Sequence, residues 1–155
     1  MYLEHFGIEE LPFKLTPNTH FYCNLSAYQE VLNVLLFSLE NGEGFIKVIG
    51  EVGSGKTLLC RKLLDELEHN YVTAYVPNPD LTPRGLRKSL AFELGLVVEN
   101  NIDETELIHE ITEKLLALHS QHKQVILVID ESQALSDETL ESVRLLTNLE
   151  TASEK

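Results

Sequence analysis

Gly50-Glu51-Val52-Gly53-Ser54-Gly55-Lys56-Thr57 is the stretch on which the fold turns. It fits G-x-x-x-x-G-K-[ST], a pattern whose glycines let the backbone close around a phosphate with successive N–H groups pointing inward. Its flanks supply the context that pattern needs. Phe45–Ile49 is a short apolar run, rich in β-branched residues and closed by Gly50, and it predicts a strand. Gly55–Glu68 carries Leu58, Leu59, Leu63 and Leu67 at helical spacing. A helix starting at the loop adds the positive end of its dipole to the same place. Lys56 then offers a mobile cation to β- and γ-phosphate oxygens, and Thr57 offers a hydroxyl to Mg2+. Cys60, one turn further on, reads as a core residue rather than a reactive thiol.

Working outward, Val125–Ile129 is five consecutive aliphatics and predicts a strand buried on both faces. Asp130 and Glu131 follow at its C-terminal end, where ligands gather in open α/β sheets. Asp130 is placed to hold Mg2+, mostly through water, and Glu131 to orient an attacking water. Adjacent carboxylates point to a hydrolase that carries its own base rather than to a small-molecule kinase. No Asn-Lys-x-Asp guanine reader occurs, which favours ATP over GTP. Asn78, after a strand-like run over Tyr71–Val76, has two readings. It is a turn residue between Pro77 and Pro79, or an amide that restrains Glu131.

The remaining elements alternate around these. The first thirty residues are irregular, with Phe6, Leu11, Phe13 and Phe21 set among Gly7, Pro12 and Pro17, as in a loop pinned onto a core. Ser26 reads as the N-cap of a helix that ends at Asn41-Gly42. Thr82 and Pro83 open a helix running to about Leu94, before Gly95. Asp103–His119 is amphipathic through Leu107, Ile111, Leu115 and Leu118, and Ser136 caps a last helix that ends near Leu149. Strands alternating with helices imply a parallel sheet with right-handed crossovers. Arg84, Arg87 and Lys88 form a small basic group on one helix and read as a solvated face.

Composition sets the outer bounds. The 155 residues are 43% apolar and 24% charged, enough for one packed domain and against wholesale disorder. The net charge of −13, spread over both halves, disfavours non-specific nucleic-acid binding. Two cysteines make no disulfide framework and fit a reducing cytosol. The N-terminus lacks the basic and apolar regions of a signal peptide, and no apolar run is long enough for a membrane helix. A cytoplasmic segment follows from these, with any membrane anchor lying outside it.

Together these pieces resemble AAA+ ATPases of type II secretion and mannose-sensitive haemagglutinin pilus biogenesis. The likeness runs from Met1–Gly7 through Leu11-Pro12-Phe13, Leu15-Thr16-Pro17, Gly44–Val48 and Tyr75–Pro79. It continues through Asp130-Glu131-Ser132-Gln133 to Leu145–Thr151. It implies a three-layer α/β/α P-loop NTPase, with residues 1–30 as an irregular segment packed on a core that spans 44–155. It implies that Gly50, Glu51, Val52, Gly53, Ser54, Gly55, Lys56, Thr57 and Leu58 form the Walker A site, and Asp130 and Glu131 the Walker B site. Thr57 and Asp130 would hold Mg2+, Lys56 and Glu131 would be catalytic, and Asn78 would sit at the glutamate-switch position. ATP and Mg2+ are the implied ligands. Self-association through the full-length protein and contact with inner-membrane secretion or pilus components are the implied partnerships.

The resemblance also places a fourth strand, carrying a sensor residue, between the phosphate-loop strand and the Walker B strand. No residues here match that strand, an arginine finger or a helical lid, so the sequence reads as the N-terminal part of a longer ATPase. Two alternatives stay open: a DNA-associated transposition helper with the same core, and a nucleotide-binding interaction module that hydrolyses little.

Overall fold

In a computed structural model, the described residues are 2–10, 22–23, 25–67, 70–78, 81–99 and 101–151, with side chains as far as Thr147. The expected anchors Leu11, Phe13 and Phe21, together with Pro12, Pro17 and Pro79, lie outside them. The elements in order are α1 (Tyr2–Phe6), α2 (Ser26–Glu40), α3 (Lys56–Glu66), β1 (Tyr71–Val76), α4 (Pro83–Glu93), α5 (Glu104–Ser120), β2 (Gln124–Ile129) and α6 (Asp137–Thr151). A single 3-10 turn, Ser132–Ala134, precedes α6. β1 and β2 pair in parallel, from Tyr71 opposite Gln124 to Val76 opposite Ile129. Helices α4 and α5 form the crossover between them.

Side chains alternate along β1, and Ala74 and Val76 are the buried pair. Ala74 joins Leu90, Ala91 and Leu94 of α4 and Leu107, Ile111 and Leu118 of α5 in the main core cluster. Val76 joins Leu86 and Val143 in a second cluster, which brings α6 against α4. Leu32 and Leu35 of α2 pack on Leu59 and Leu63 of α3 in a third. Each fully buried leucine is worth about 2 kcal/mol of apolar transfer.

Local chemistry sets the helix ends. Thr82 Oγ1 accepts from Gly85 N–H at 3.2 Å with Pro83 in the first turn, Asp103 accepts from Thr105 N–H at 3.1 Å, and Ser136 Oγ accepts from Thr139 N–H at 3.2 Å. Thr139 is fully buried, and its hydroxyl donates to Leu81 O at 3.0 Å, tying α6 to the segment after β1. Helices α4 and α5 end alike. Leu96 N–H bonds Ala91 O at 2.9 Å and Lys123 N–H bonds Leu118 O at 3.0 Å, each past a left-handed residue. That residue is Gly95 after α4 but His122, at φ 56°, after α5.

Four expectations are corrected. Phe45–Ile49 is not a strand: it joins no ladder, and Phe45 and Ile49 are 60% and 81% exposed. β propensity needs a neighbour with free backbone groups, and neither β1 nor β2 is paired to this segment. For the same reason Val125–Ile129 is only partly buried rather than covered on both faces. Ser26 is the first residue of α2 and not its cap; Leu25 holds that place and makes no side-chain bond. At the N-terminus, residues 2–6 are helical, and Phe6 lies 61% exposed against Tyr2 and His5 rather than on a core. Among the described residues, no helix is long and apolar enough to cross a membrane.

Candidate functional site

Between Gly50 and Lys56 the backbone doubles back. Ser54 N–H donates to Glu51 O at 3.2 Å, and Gly53 and Gly55 take φ values of 78° and 80°. A Cβ at either φ is strained, so the loop's shape requires glycine at both. At Gly50 a Cβ would stand 2.7 Å from Ser54 Oγ, which would have to rotate away. Gly55 is the N-cap of α3, and Lys56, Thr57 and Leu58 form its first turn. The Lys56 ammonium folds back and donates to Gly50 O at 2.9 Å and Glu51 O at 2.8 Å. Val52 stands fully exposed at the tip. From outside the loop, the Tyr28 hydroxyl of α2 donates to Ser54 O at 2.9 Å.

Beyond the end of β2, Asp130 N–H donates to Val76 O at 3.0 Å, continuing the ladder's spacing. Asp130 is buried, with 7% of the residue exposed. Its Oδ1 accepts from Glu131 N–H at 2.9 Å, and its Oδ2 accepts from the Tyr75 hydroxyl at 3.4 Å. Tyr75 stands between Ala74 and Val76 and so points to the opposite face of β1. Burial pushes the Tyr75 phenol up from its ordinary value; the Asp130 charge adds to this and Arg61 opposes it. Burial likewise raises the Cys60 thiol, with Asp130 as the second cause. Cys60 lies one turn past Lys56 on α3, within reach of the Asp130 charge. A raised thiol is a poor nucleophile, in keeping with a packing role for Cys60.

Glu131 has a left-handed backbone, φ 50°, and its carboxylate accepts from the Gln133 side-chain amide across the 3-10 turn. Asn78 is exposed, two residues past the end of β1. Arg84 is exposed as expected, yet it donates to Ile102 O at 2.5 Å, and the more covered Arg87 pairs with Glu104, so both brace α4 on the start of α5. Among the described residues, no group of three or more His, Cys, Asp or Glu side chains gathers to hold a metal. A hard divalent cation at Asp130 would therefore draw on water, hydroxyl and phosphate oxygens for its other ligands.

Tyr28, Tyr75 and Gln133 touch the residues that the sequence pattern singles out, yet the pattern itself does not point to them. Tyr28 has a signal in its place on the stripe that continues through Leu32 and Leu35, and Tyr75 and Gln133 lie in stretches that carry the family resemblance.

A family model described as AAA domain matches residues 39–155. Over all 155 residues the chain is 37% identical to the General secretion pathway protein A of Aeromonas hydrophila, and it spans 28% of that protein's length. No solved structure matches. With the family model matching most of its length, the chain belongs to the AAA domain family.

Proposed function

We propose that this chain binds ATP with Mg2+ and hydrolyses it, as the nucleotide-driven part of a type II secretion or pilus-assembly machine. One observation carries this: the 50–56 loop closes on two left-handed glycines at the start of α3, with a lysine ammonium held inside by its own carbonyls. A phosphate entering there offers Lys56 charge-assisted bonds in exchange for neutral ones, which favours the exchange. In this reading residues Gly50 to Leu58 hold the phosphates, and Thr57 and Asp130 hold the metal. Mg2+, when bound, supplies neutralisation of the charge that develops on the phosphoryl oxygens. The fit is supported by Asp130, whose carboxylate is fixed from two sides at the end of β2. Glu131 orients the attacking water, and Asn78 and Gln133 restrain its carboxylate.

The place in secretion rests on likeness to a General secretion pathway protein A, of which this chain spans 28%. We further infer a three-layer α/β/α arrangement built on the parallel β1–β2 sheet. Residues 44–155 form its P-loop core. Nucleotide shared between neighbouring subunits, contact with inner-membrane components and a cytoplasmic location belong to the same reading.

Glu131→Gln tests it. Expected are unchanged ATP binding and ATP hydrolysis lowered by about 100-fold or more, the worth of a positioned base. Wild-type protein that binds ATP but whose slow hydrolysis is unaltered by Glu131→Gln is a binding module and not an ATPase. Wild-type protein that binds no nucleotide refutes the proposal outright.

A further inference from the structure

The contact between α2 and the loop is the least accounted-for feature of the site. Tyr28, Leu32 and Leu35 lie on one face of α2, at i, i+4 and i+7. Leu32 and Leu35 are spent on α3, packing against Leu59 and Leu63. Tyr28, one turn earlier, reaches past the start of α3 and meets the loop instead. Its hydroxyl donates to Ser54 O at 2.9 Å in a half-buried setting. Its ring lies 3.5 Å from the position a Gly55 Cβ would take, so it fills the space beside the left-handed glycine. The ring is braced in turn: Tyr22 meets it edge-on at 6.4 Å, and Lys62 sits over Tyr22 at 5.9 Å.

Peptide planarity gives this bond a consequence. The Ser54 carbonyl and the Gly55 N–H belong to one trans peptide unit and point in opposite directions. Holding the carbonyl toward α2 therefore aims the Gly55 N–H away from α2. We infer that Tyr28 is a positioning residue for nucleotide: by fixing the Ser54–Gly55 peptide, it directs the Gly55 amide into the phosphate cradle before ligand arrives. This rests on the reading of residues 50–57 as a phosphate loop. It adds to that reading a residue far from the loop in sequence, through which α2 acts on affinity. Without the bond, the peptide between Ser54 and the glycine hinge at 55 is free to flip, and binding must then organise it.

Tyr28→Phe keeps the ring and removes only the hydroxyl. Its ADP and ATP affinities, measured by calorimetry, are expected to fall about five-fold, the worth of one neutral hydrogen bond. The nucleotide-free unfolding midpoint is expected to stay at the wild-type value, and the Gly55 amide resonance to move. Tyr28→Leu, which also removes the ring support, is expected to lose more affinity than Tyr28→Phe. Wild-type affinity in Tyr28→Phe overturns the inference, as does a loss of affinity matched by a lowered unfolding midpoint. If wild-type protein binds neither nucleotide, the phosphate-loop reading itself has failed, which is a different result from wild-type binding that Tyr28→Phe leaves untouched.

Discussion

Two apolar segments of similar composition end up in opposite states. Val125–Ile129 is locked into a parallel ladder with β1, over a core built by α4 and α5. Phe45–Ile49, with three β-branched residues against four, joins no strand and leaves Phe45, Val48 and Ile49 open to solvent. The difference lies in the neighbours rather than in the segments. Val125–Ile129 has β1 alongside and a helical hairpin to bury Ala74 and its surroundings. Phe45–Ile49 leads into the loop, and the helix packing that follows it is spent between α2 and α3. A strand is a property of a pair, and an isolated apolar run states only half of it.

The most forceful way to break this comparison is to cut a hole on each side. Leu107, fully buried among α4, α5 and β1, should cost about 2–5 kcal/mol when changed to Ala. Ile49→Ser, at a residue 81% exposed, should cost less than about 0.5 kcal/mol. Urea unfolding measures both. If Ile49→Ser proves as damaging as Leu107→Ala, then Phe45–Ile49 is packed in solution and the contrast disappears.

A smaller effect sharpens the comparison within the packed half. His122 occupies the left-handed position that Gly95 fills after α4, and it keeps the same closing bond. His122→Gly should therefore stabilise the protein, by up to about 1 kcal/mol, seen as a raised urea midpoint. A lowered midpoint would mean that the imidazole makes a contact worth more than the strain.

The smallest effect concerns charge at the start of α5. The backbone N–H of Thr105 holds the Asp103 carboxyl below its ordinary value. A carboxyl depressed in the folded state stabilises the protein above its unfolded pKa, and that contribution is lost as pH falls through the folded one. Asp103→Asn keeps a capping oxygen but does not titrate there. Its unfolding midpoint should thus fall less than the wild type's on acidification through the carboxylate range. Equal acid sensitivity in the two proteins would show that the cap's charge contributes nothing.

Much of the packed half was legible in the sequence because its signals are local. Thr82-Pro83, Asp103 and Ser136 each mark a helix start, and Gly95 marks a stop, through bonds that span a few residues. The alternation of Tyr71–Val76 names its buried side. The loop's glycines are legible for the same reason, since φ belongs to single residues. What the sequence hides is pairing across distance. Tyr28 finds Ser54, Tyr75 finds Asp130, and Arg87 finds Glu104 only once helices have packed. Ser26 misleads because a capping side chain is informative only if the backbone beside it turns, and here Leu25 does so without one.

The parallel ladder also dictates an order of assembly. Tyr71 can meet Gln124 only after α4 and α5 have been laid down between them. Closing so long a loop is entropically unrewarded until the last strand arrives. During synthesis β1 therefore waits, its backbone bonded only to water, until the residues of β2 are available to pair with it. The helical hairpin, whose contacts are local, can collapse first and give the late strand a surface on which to land.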